Sequence, residues 1–333
     1  MAPRFSVYRL DTMNGNVSEA EITFDDVCRA RELIAPYAHE TPVITCSTLN
    51  RMSGHELFFK CENQQKTGAF KFRGAVNSVA RLTDEEKARG VVTHSSGNHA
   101  QALAAAAKLF GVTAHIVMPS NSPQVKKAGV KGYGGRIIEC EPTLESRERT
   151  AKAVKAETGA VLIPPFNYAN VIAGQGTCAA EFFEQVPDIQ TMIAPVGGGG
   201  LLSGTCISAA AQSPQVAVIA GEPANADDAF QSKAEGRVIP QLNPDTIADG
   251  LRTSLGSLTW PFVRDYVDHI VRIEEQEIVK AMKLFIERTK VFIEPSAAVA
   301  VAVALYHLPK SEPPARIGVI LSGGNVDLDK LPW

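Results

Sequence analysis

The sequence predicts an α/β protein of two domains, each built on a mainly parallel sheet flanked by helices. Three observations carry that reading. Between Gly90 and Asn167, short apolar runs alternate with helical patterns; a second series of the same rhythm begins at Met192; and in both a glycine-bearing turn stands where a strand gives way to a helix. Strands separated by helices of this length imply a parallel sheet. At 333 residues and 45% hydrophobic, the chain is long enough for a large core and fits two domains better than one.

In the first series, 91–94, 114–118, 136–140 and 160–163 read as strands, and 98–110, 124–132 and 145–158 as helices. In the second, 192–196 reads as a strand that passes through four glycines into an Ala-rich helix ending near 211, and 216–221 as the next strand. Helices over 274–289 and 295–308 and a strand over 316–321 close it. The region before Gly90 holds no sheet large enough to stand alone. Periodicity by itself also permits two domains in sequence.

Composition narrows the function. A net charge of −3 and a pI near 6.2 offer no basic field to a phosphate backbone, so nucleic acid is not expected as a partner, whereas small anionic substrates remain open. No run of ~18 apolar residues suggests a membrane span. The first ~20 residues lack the apolar core of a secretory signal and read as a short, loosely ordered extension. Six cysteines, Cys28, Cys46, Cys61, Cys140, Cys178 and Cys206, show no C-x-x-C pair or metal-ligand spacing, which fits reduced thiols in the cytoplasm.

Lys71 is the first residue to suspect of chemistry. It lies in Gln65-Lys66-Thr67-Gly68-Ala69-Phe70-Lys71-Phe72-Arg73-Gly74-Ala75, an apolar, glycine-flanked setting that leads into helix-forming sequence. Packing between Phe70 and Phe72 would desolvate the ammonium, lower its pKa and free the amine for a Schiff base with a carbonyl. The residues alone equally allow a solvated lysine on a helix face. Gly197, Gly198, Gly199 and Gly200, between a buried strand and a helix start, would let backbone N–H groups converge on a phosphate. A flexible linker is the alternative; a dinucleotide fingerprint and a Walker loop are both absent.

Ser322 ends an apolar strand, where α/β sheets bind ligands, or simply turns the chain. Ser96, in Ser95-Ser96-Gly97-Asn98-His99, reads in isolation as a helix N-cap. His94 and His99 read as satisfied, partly buried histidines. Glu222 and Asp228, in Glu222-Pro223-Ala224-Asn225-Ala226-Asp227-Asp228, form with a backbone carbonyl an oxygen site suited to Mg²⁺ or Ca²⁺, or a merely solvated acidic turn.

Taken together, Ala69-Phe70-Lys71-Phe72-Arg73-Gly74-Ala75, Ser95-Ser96-Gly97-Asn98-His99, Gly174-Gln175-Gly176-Thr177, the four glycines and Ser322-Gly323-Gly324-Asn325 resemble fold-type II pyridoxal-phosphate enzymes over nearly the whole chain. Thr93-His94 before the serine motif, Glu222-Pro223 with Asp227-Asp228, and Ala248-Asp249-Gly250 make it most similar to the eukaryotic-type serine racemase and serine/threonine dehydratase family. The resemblance implies a discontinuous large cofactor-binding domain, 1–89 and 168–333, with 90–167 as a small inserted α/β domain.

It also implies roles. Lys71 would hold pyridoxal phosphate and act as one acid/base; Ser96 would be the second, on the opposite face. The four glycines would hold the cofactor phosphate, Asn98 its phenolic oxygen and Ser322 its pyridine nitrogen, with Phe166 packed beside the ring. A neutral hydroxyl on that nitrogen weakens the ring as an electron sink, which suits rapid elimination or reprotonation. Ser95, Ser96, Asn98, His99, Arg147 and Thr253 would meet the substrate; for Arg147 a surface salt bridge is the alternative. Glu222, the Ala226 carbonyl and Asp228 would hold the divalent metal. Ser47, Thr48, Lys66, Thr67, Gln101, Tyr133, Lys290 and Asn325 match positions that contact an activating ATP at a homodimer interface, although Cys46 departs from a serine found in some relatives.

The activity so implied is serine racemisation coupled to elimination of serine to pyruvate and ammonia. A threonine or threo-3-hydroxyaspartate dehydratase uses the same machinery, and a non-catalytic amino-acid or nucleotide sensor shares the fold. Intact Lys71 and Ser96 argue against the sensor.

Overall fold

A computed structural model describes residues 22–122 and 124–333; the expected N-terminal extension lies outside the described residues. Among the described residues, ten strands form two sheets: β1 (Val43–Ile44), β2 (Glu56–Cys61), β3 (Val91–His94), β4 (Ala114–Pro119), β5 (Arg136–Cys140), β6 (Val161–Leu162), β7 (Thr191–Pro195), β8 (Ala217–Pro223), β9 (His269–Ile273) and β10 (Arg316–Leu321). The larger sheet runs β1-β2-β10-β7-β8-β9 and the smaller β5-β4-β3-β6. All neighbours are parallel except β1, which pairs antiparallel to β2.

The central strands of the larger sheet are apolar runs because both faces are covered. Alternation along them sorts the side chains. Ile193, Ile219, Ile317, Val319 and Leu321 pack under the helices Glu275–Thr289 and Pro295–Ala302. Met192, Ala194, Val218, Ala220 and Ile320 face the helices Ala169–Gln185 and Gly200–Gln212. In the smaller sheet, Val91, Ile116 and Met118 pack with the helix Asn98–Leu109, while Val92 and Val117 meet Ala151 and Val154 of the helix Leu144–Thr158.

The helix Lys71–Ala80 joins the two sheets. Phe72, Ala75, Val76 and Val79 pack in the smaller sheet's core. Its other flank lies so close to Ala169–Gln185 that a Cβ at Gly174 would stand 2.6 Å from the Gly74 Cα. Gly174-Gln175-Gly176-Thr177 therefore serves helix packing, and Gln175 Oε1 accepts the Gly74 N–H at 3.2 Å.

The sequence reading placed four strands and three helices in the first series, and each occurs within a residue or two at either end. It missed β1, β2, β9 and Ala169–Gln185. Those strands are short or alternate weakly, and the helix is buried all round, so it carries no one-sided apolar stripe. The expected helix 295–308 is α-helical to Ala302 and then widens into a π turn, Val303–His307.

Candidate active site

The sites expected from sequence converge on the C-terminal ends of the strands, where parallel sheets leave loops and helix N-termini facing outward. The serine loop follows β3, the glycine run β7, the acidic turn β8 and Ser322 β10. The segment before Lys71 is tied to the last of these: Phe70 N–H donates to the Ser322 carbonyl at 3.0 Å and Gly324 N–H to the Gly68 carbonyl at 2.9 Å.

Lys71 opens its helix, and its Nζ donates to the Pro165 carbonyl at 2.8 Å while lying 4.9 Å from the Phe70 ring centroid. Phe72 does not complete the expected sandwich. Successive helical side chains diverge, and Phe72 turns into the core beneath Lys66, whose Nζ is 5.9 Å from its ring. Burial lowers the Lys71 amine to about 8 against the opposing pull of Glu294. It is not a solvated helix-face lysine.

The glycine run has the geometry of an anion cradle. Gly199 sits at φ +85°, and a Cβ on Gly198 would lie 2.2 Å from Phe166 Cδ1. The helix Gly200–Gln212 starts there, and the peptide N–H groups of residues 197–202 find no acceptor among the described residues. Convergent donors at a helix N-terminus fit a cofactor phosphate. Ser322 is 3% exposed with an unpartnered Oγ, as fits a hydroxyl meant for a ring nitrogen. The residues present thus suit pyridoxal phosphate at both its phosphate and its ring end, with Phe166 against the glycines.

The helix Asn98–Leu109 is capped by Gly97 with no side-chain cap bond, so Ser96 is not the N-cap its isolated reading allows. Ser95 Oγ instead accepts the Gly97 N–H at 3.4 Å, and no described residue takes the Ser96 hydroxyl. Asn98 donates to Glu294 at 2.9 and 3.1 Å and accepts from Asn325 at 2.9 Å. Glu294 had no signal in sequence. It is 3% exposed, and burial, with Asp249 nearby, raises its carboxyl to about 7.

His99 is buried with Nε2 on the Ile163 carbonyl at 3.0 Å and Nδ1 unpartnered, so it is only half satisfied. Burial first and Lys71 second push it down to about 3, which keeps the ring neutral. Arg147 makes no ion pair among the described residues; its Nε reaches the Thr143 carbonyl at 3.4 Å, and its charge, with that of Glu148, is felt at His94. Thr253 is exposed on the loop that precedes the buried Leu255.

On the acidic turn, Glu222 accepts the Ala229 and Phe230 N–H groups at 2.8 Å each, and Asp228 Oδ2 accepts the Leu255 N–H at 3.2 Å. Both are buried with Ala226, whereas Asp227 pairs with Arg272 at 3.2 Å. Desolvation, then the neighbouring carboxylate, pushes Glu222 up to about 9, and desolvation pushes Asp228 up to about 7. Asp228 Oδ1 has no partner. Two buried carboxyl groups with one oxygen unpartnered do not form a solvated turn, and their oxygens would suit a divalent cation.

Of the nucleotide positions, the structure joins Thr67 and Asn325, whose Nδ2 donates to the Thr67 carbonyl at 2.7 Å. Gln101 reaches Gly129, one turn before Tyr133. Ser47 and Thr48 begin the helix Ser47–Ser53 and Lys290 ends Glu275–Thr289 in the left-handed region at φ +63°. No hydrogen bond among the described residues links these last three to the Thr67–Asn325 pair.

The family model described as pyridoxal-phosphate dependent enzyme matches residues 34–323, and the chain belongs to that family, in its fold-type II branch. Over 306 residues it is 52% identical to serine racemase of Oryza sativa subsp. japonica, covering 91% of this chain and 90% of the relative. It is 50% identical over 311 residues to beta-hydroxyaspartate dehydratase of Paracoccus denitrificans (strain Pd 1222), covering 93% and 98%. The solved structure of maize serine racemase superposes with a TM-score of 0.90 at 51% identity, covering 92% of this chain and 94% of that one.

Proposed function

We propose that this chain interconverts L- and D-serine and also eliminates serine to pyruvate and ammonia. The carrying observation is the free hydroxyl of Ser96, three residues before a neutral His99 that lies within electrostatic reach of the lowered Lys71 amine. Bound in the cradle, pyridoxal phosphate supplies an electron sink for the pair left when the proton leaves the α-carbon. Lys71, as a neutral amine, takes that proton from L-serine, with one N–H held by the Pro165 carbonyl. Ser96 returns a proton to the opposite face to give D-serine. When the β-hydroxyl leaves the deprotonated substrate before Ser96 reprotonates it, Lys71 would give the proton it took from the α-carbon to that hydroxyl, which departs as water. Glu294 and Asn325 hold the Asn98 side chain, which would meet the phenolic oxygen of the cofactor, and Ser95, His99, Arg147 and Thr253 would frame the substrate.

The relatives' names support this reading, and the Paracoccus relative supports a second one, dehydration of 3-hydroxyaspartate. Incubation with L-serine, L-threonine and threo-3-hydroxyaspartate, followed by joint assay of D-amino acid and keto acid, separates them. D-serine with pyruvate is the expected result; keto acid from hydroxyaspartate alone favours the second reading.

Two domains, 1–89 with 168–333 and 90–167, belong to the proposal, supported by the two separate sheets. So does Mg²⁺ or Ca²⁺ on Glu222, the Ala226 carbonyl and Asp228. ATP acting between the copies of a homodimer belongs to it as well; calorimetry with ATP and Mg²⁺ tests it. The six free thiols suit a reducing cytoplasm, and no helix among the described residues is long and apolar enough to cross a membrane.

A further inference from the structure

We infer that Thr259 is the positioning residue of the phosphate cradle, acting on the cofactor through the Gly198 carbonyl. Its side chain is wholly buried, and Oγ1 donates to that carbonyl at 2.8 Å. The Gly256 N–H donates into the same hydroxyl at 2.9 Å, occupying a lone pair and leaving the single O–H for an acceptor. Of the two acceptors in reach, Gly198 is nearer than Gly256, whose carbonyl lies at 3.2 Å.

The consequence follows from peptide geometry. Carbonyl and N–H of a trans peptide point in opposite directions, so anchoring the Gly198 carbonyl on Thr259 turns the Gly199 N–H away from it, free to meet an anion. The approach is close: a Cβ at Gly199 would lie 2.9 Å from both Thr259 Cβ and Oγ1, and Gly199 takes a left-handed φ of +85°. Without an anchor, four successive glycines would sample many conformations and lose this direction. The anchor is itself braced. Leu258 N–H donates to Asn167 Oδ1 at 2.8 Å, next to the Phe166 that covers Gly198, and Leu255 N–H is held by Asp228.

The inference rests on the glycine run being the phosphate cradle, and its test compares two ligands of the full chain stripped of cofactor: pyridoxal phosphate and pyridoxal, which lacks the phosphate. Binding is read by absorbance of the Schiff base and by fluorescence quenching. Thr259→Val keeps the shape but strands a buried carbonyl and N–H, so pyridoxal phosphate affinity should fall about tenfold while pyridoxal affinity stays within about twofold. Thr259→Ser should restore most of the loss. If the valine protein does not fold, Thr259→Cys, with its weak S–H donor, should show the same selective loss in smaller measure. Equal loss of both ligands, or of neither, overturns the inference while a parent preference for pyridoxal phosphate keeps the cradle. A parent that binds the two ligands equally overturns both.

Discussion

Arg73 and Glu181 meet at 3.0 Å with their side chains almost wholly out of water, two residues along the helix from Lys71. Glu62 takes the same guanidinium in a two-pronged contact at 2.8 Å, and Lys60 completes the group on Glu181. Two cations and two carboxylates balance, and the Thr41 hydroxyl and Thr177 fill further positions. The arginine of the lysine motif thus ties the Lys71 helix to Glu62, just past β2, and to Ala169–Gln185. Although burial opposes it, Arg73 and Lys60 hold the Glu181 carboxyl below its ordinary range.

Breaking this group should be costly. Glu181→Ala leaves Lys60 buried with no carboxylate and Arg73 with Glu62 alone, and a loss of about 3–5 kcal/mol is expected in urea unfolding. Glu181→Gln, which retains a hydrogen-bonding carbonyl, should lose less. A loss under about 0.5 kcal/mol for Glu181→Ala would mean that the group contributes nothing net.

Lys71 should make stability depend on pH in the cofactor-free protein. Its amine titrates near 8 when folded and 10.5 in the ordinary case. Between those values the unfolded chain keeps a proton that the folded one has released, so stability rises with pH across the window. Below it, the full penalty of a desolvated ammonium applies. Lys71→Met should therefore be more stable than the parent at pH 7, with the gap narrowing toward pH 10, and should have no turnover. A gap that does not change with pH would contradict the lowered amine.

Ser96→Ala should separate racemisation from elimination. With L-serine, Lys71 still takes the α-proton, so pyruvate persists in part while D-serine formation falls roughly a hundredfold or more. With D-serine, deprotonation needs the missing oxygen, and elimination should suffer far more than from the L enantiomer. Parent-rate interconversion in the mutant would remove Ser96 from the mechanism.

A divalent cation should stabilise the acidic turn. Mg²⁺ at a hundred times its dissociation constant adds about 2.7 kcal/mol if it binds only the folded form. Asp228→Asn should erase that increment yet leave the melting temperature of the metal-free protein unchanged or higher, because its amide oxygen still accepts the Leu255 N–H and no charge is buried. A melting temperature indifferent to both Mg²⁺ and chelator would leave the turn without a metal role.

The smaller sheet and the β7, β8 and β10 centre of the larger one were legible in the sequence, because strands buried on both faces are continuous apolar runs, each set off by its own helix; β1, β2 and β9 were not. Lys71 at a helix start, and Ser96, the glycines, Ser322 and the acidic turn at strand ends, stood out as candidates through local patterns. Tertiary structure alone decided which distant residues serve them. β2 pairs with β10 from the other end of the chain, and Lys60 meets Glu181 and Glu62 meets Arg73. Glu294 reaches Asn98, and Thr259 reaches Gly198, across nearly 200 and about 60 residues respectively. An isolated Glu or Thr carries no periodicity and no spacing; its role arises only when folding buries it beside one partner and removes the water that would otherwise serve as well.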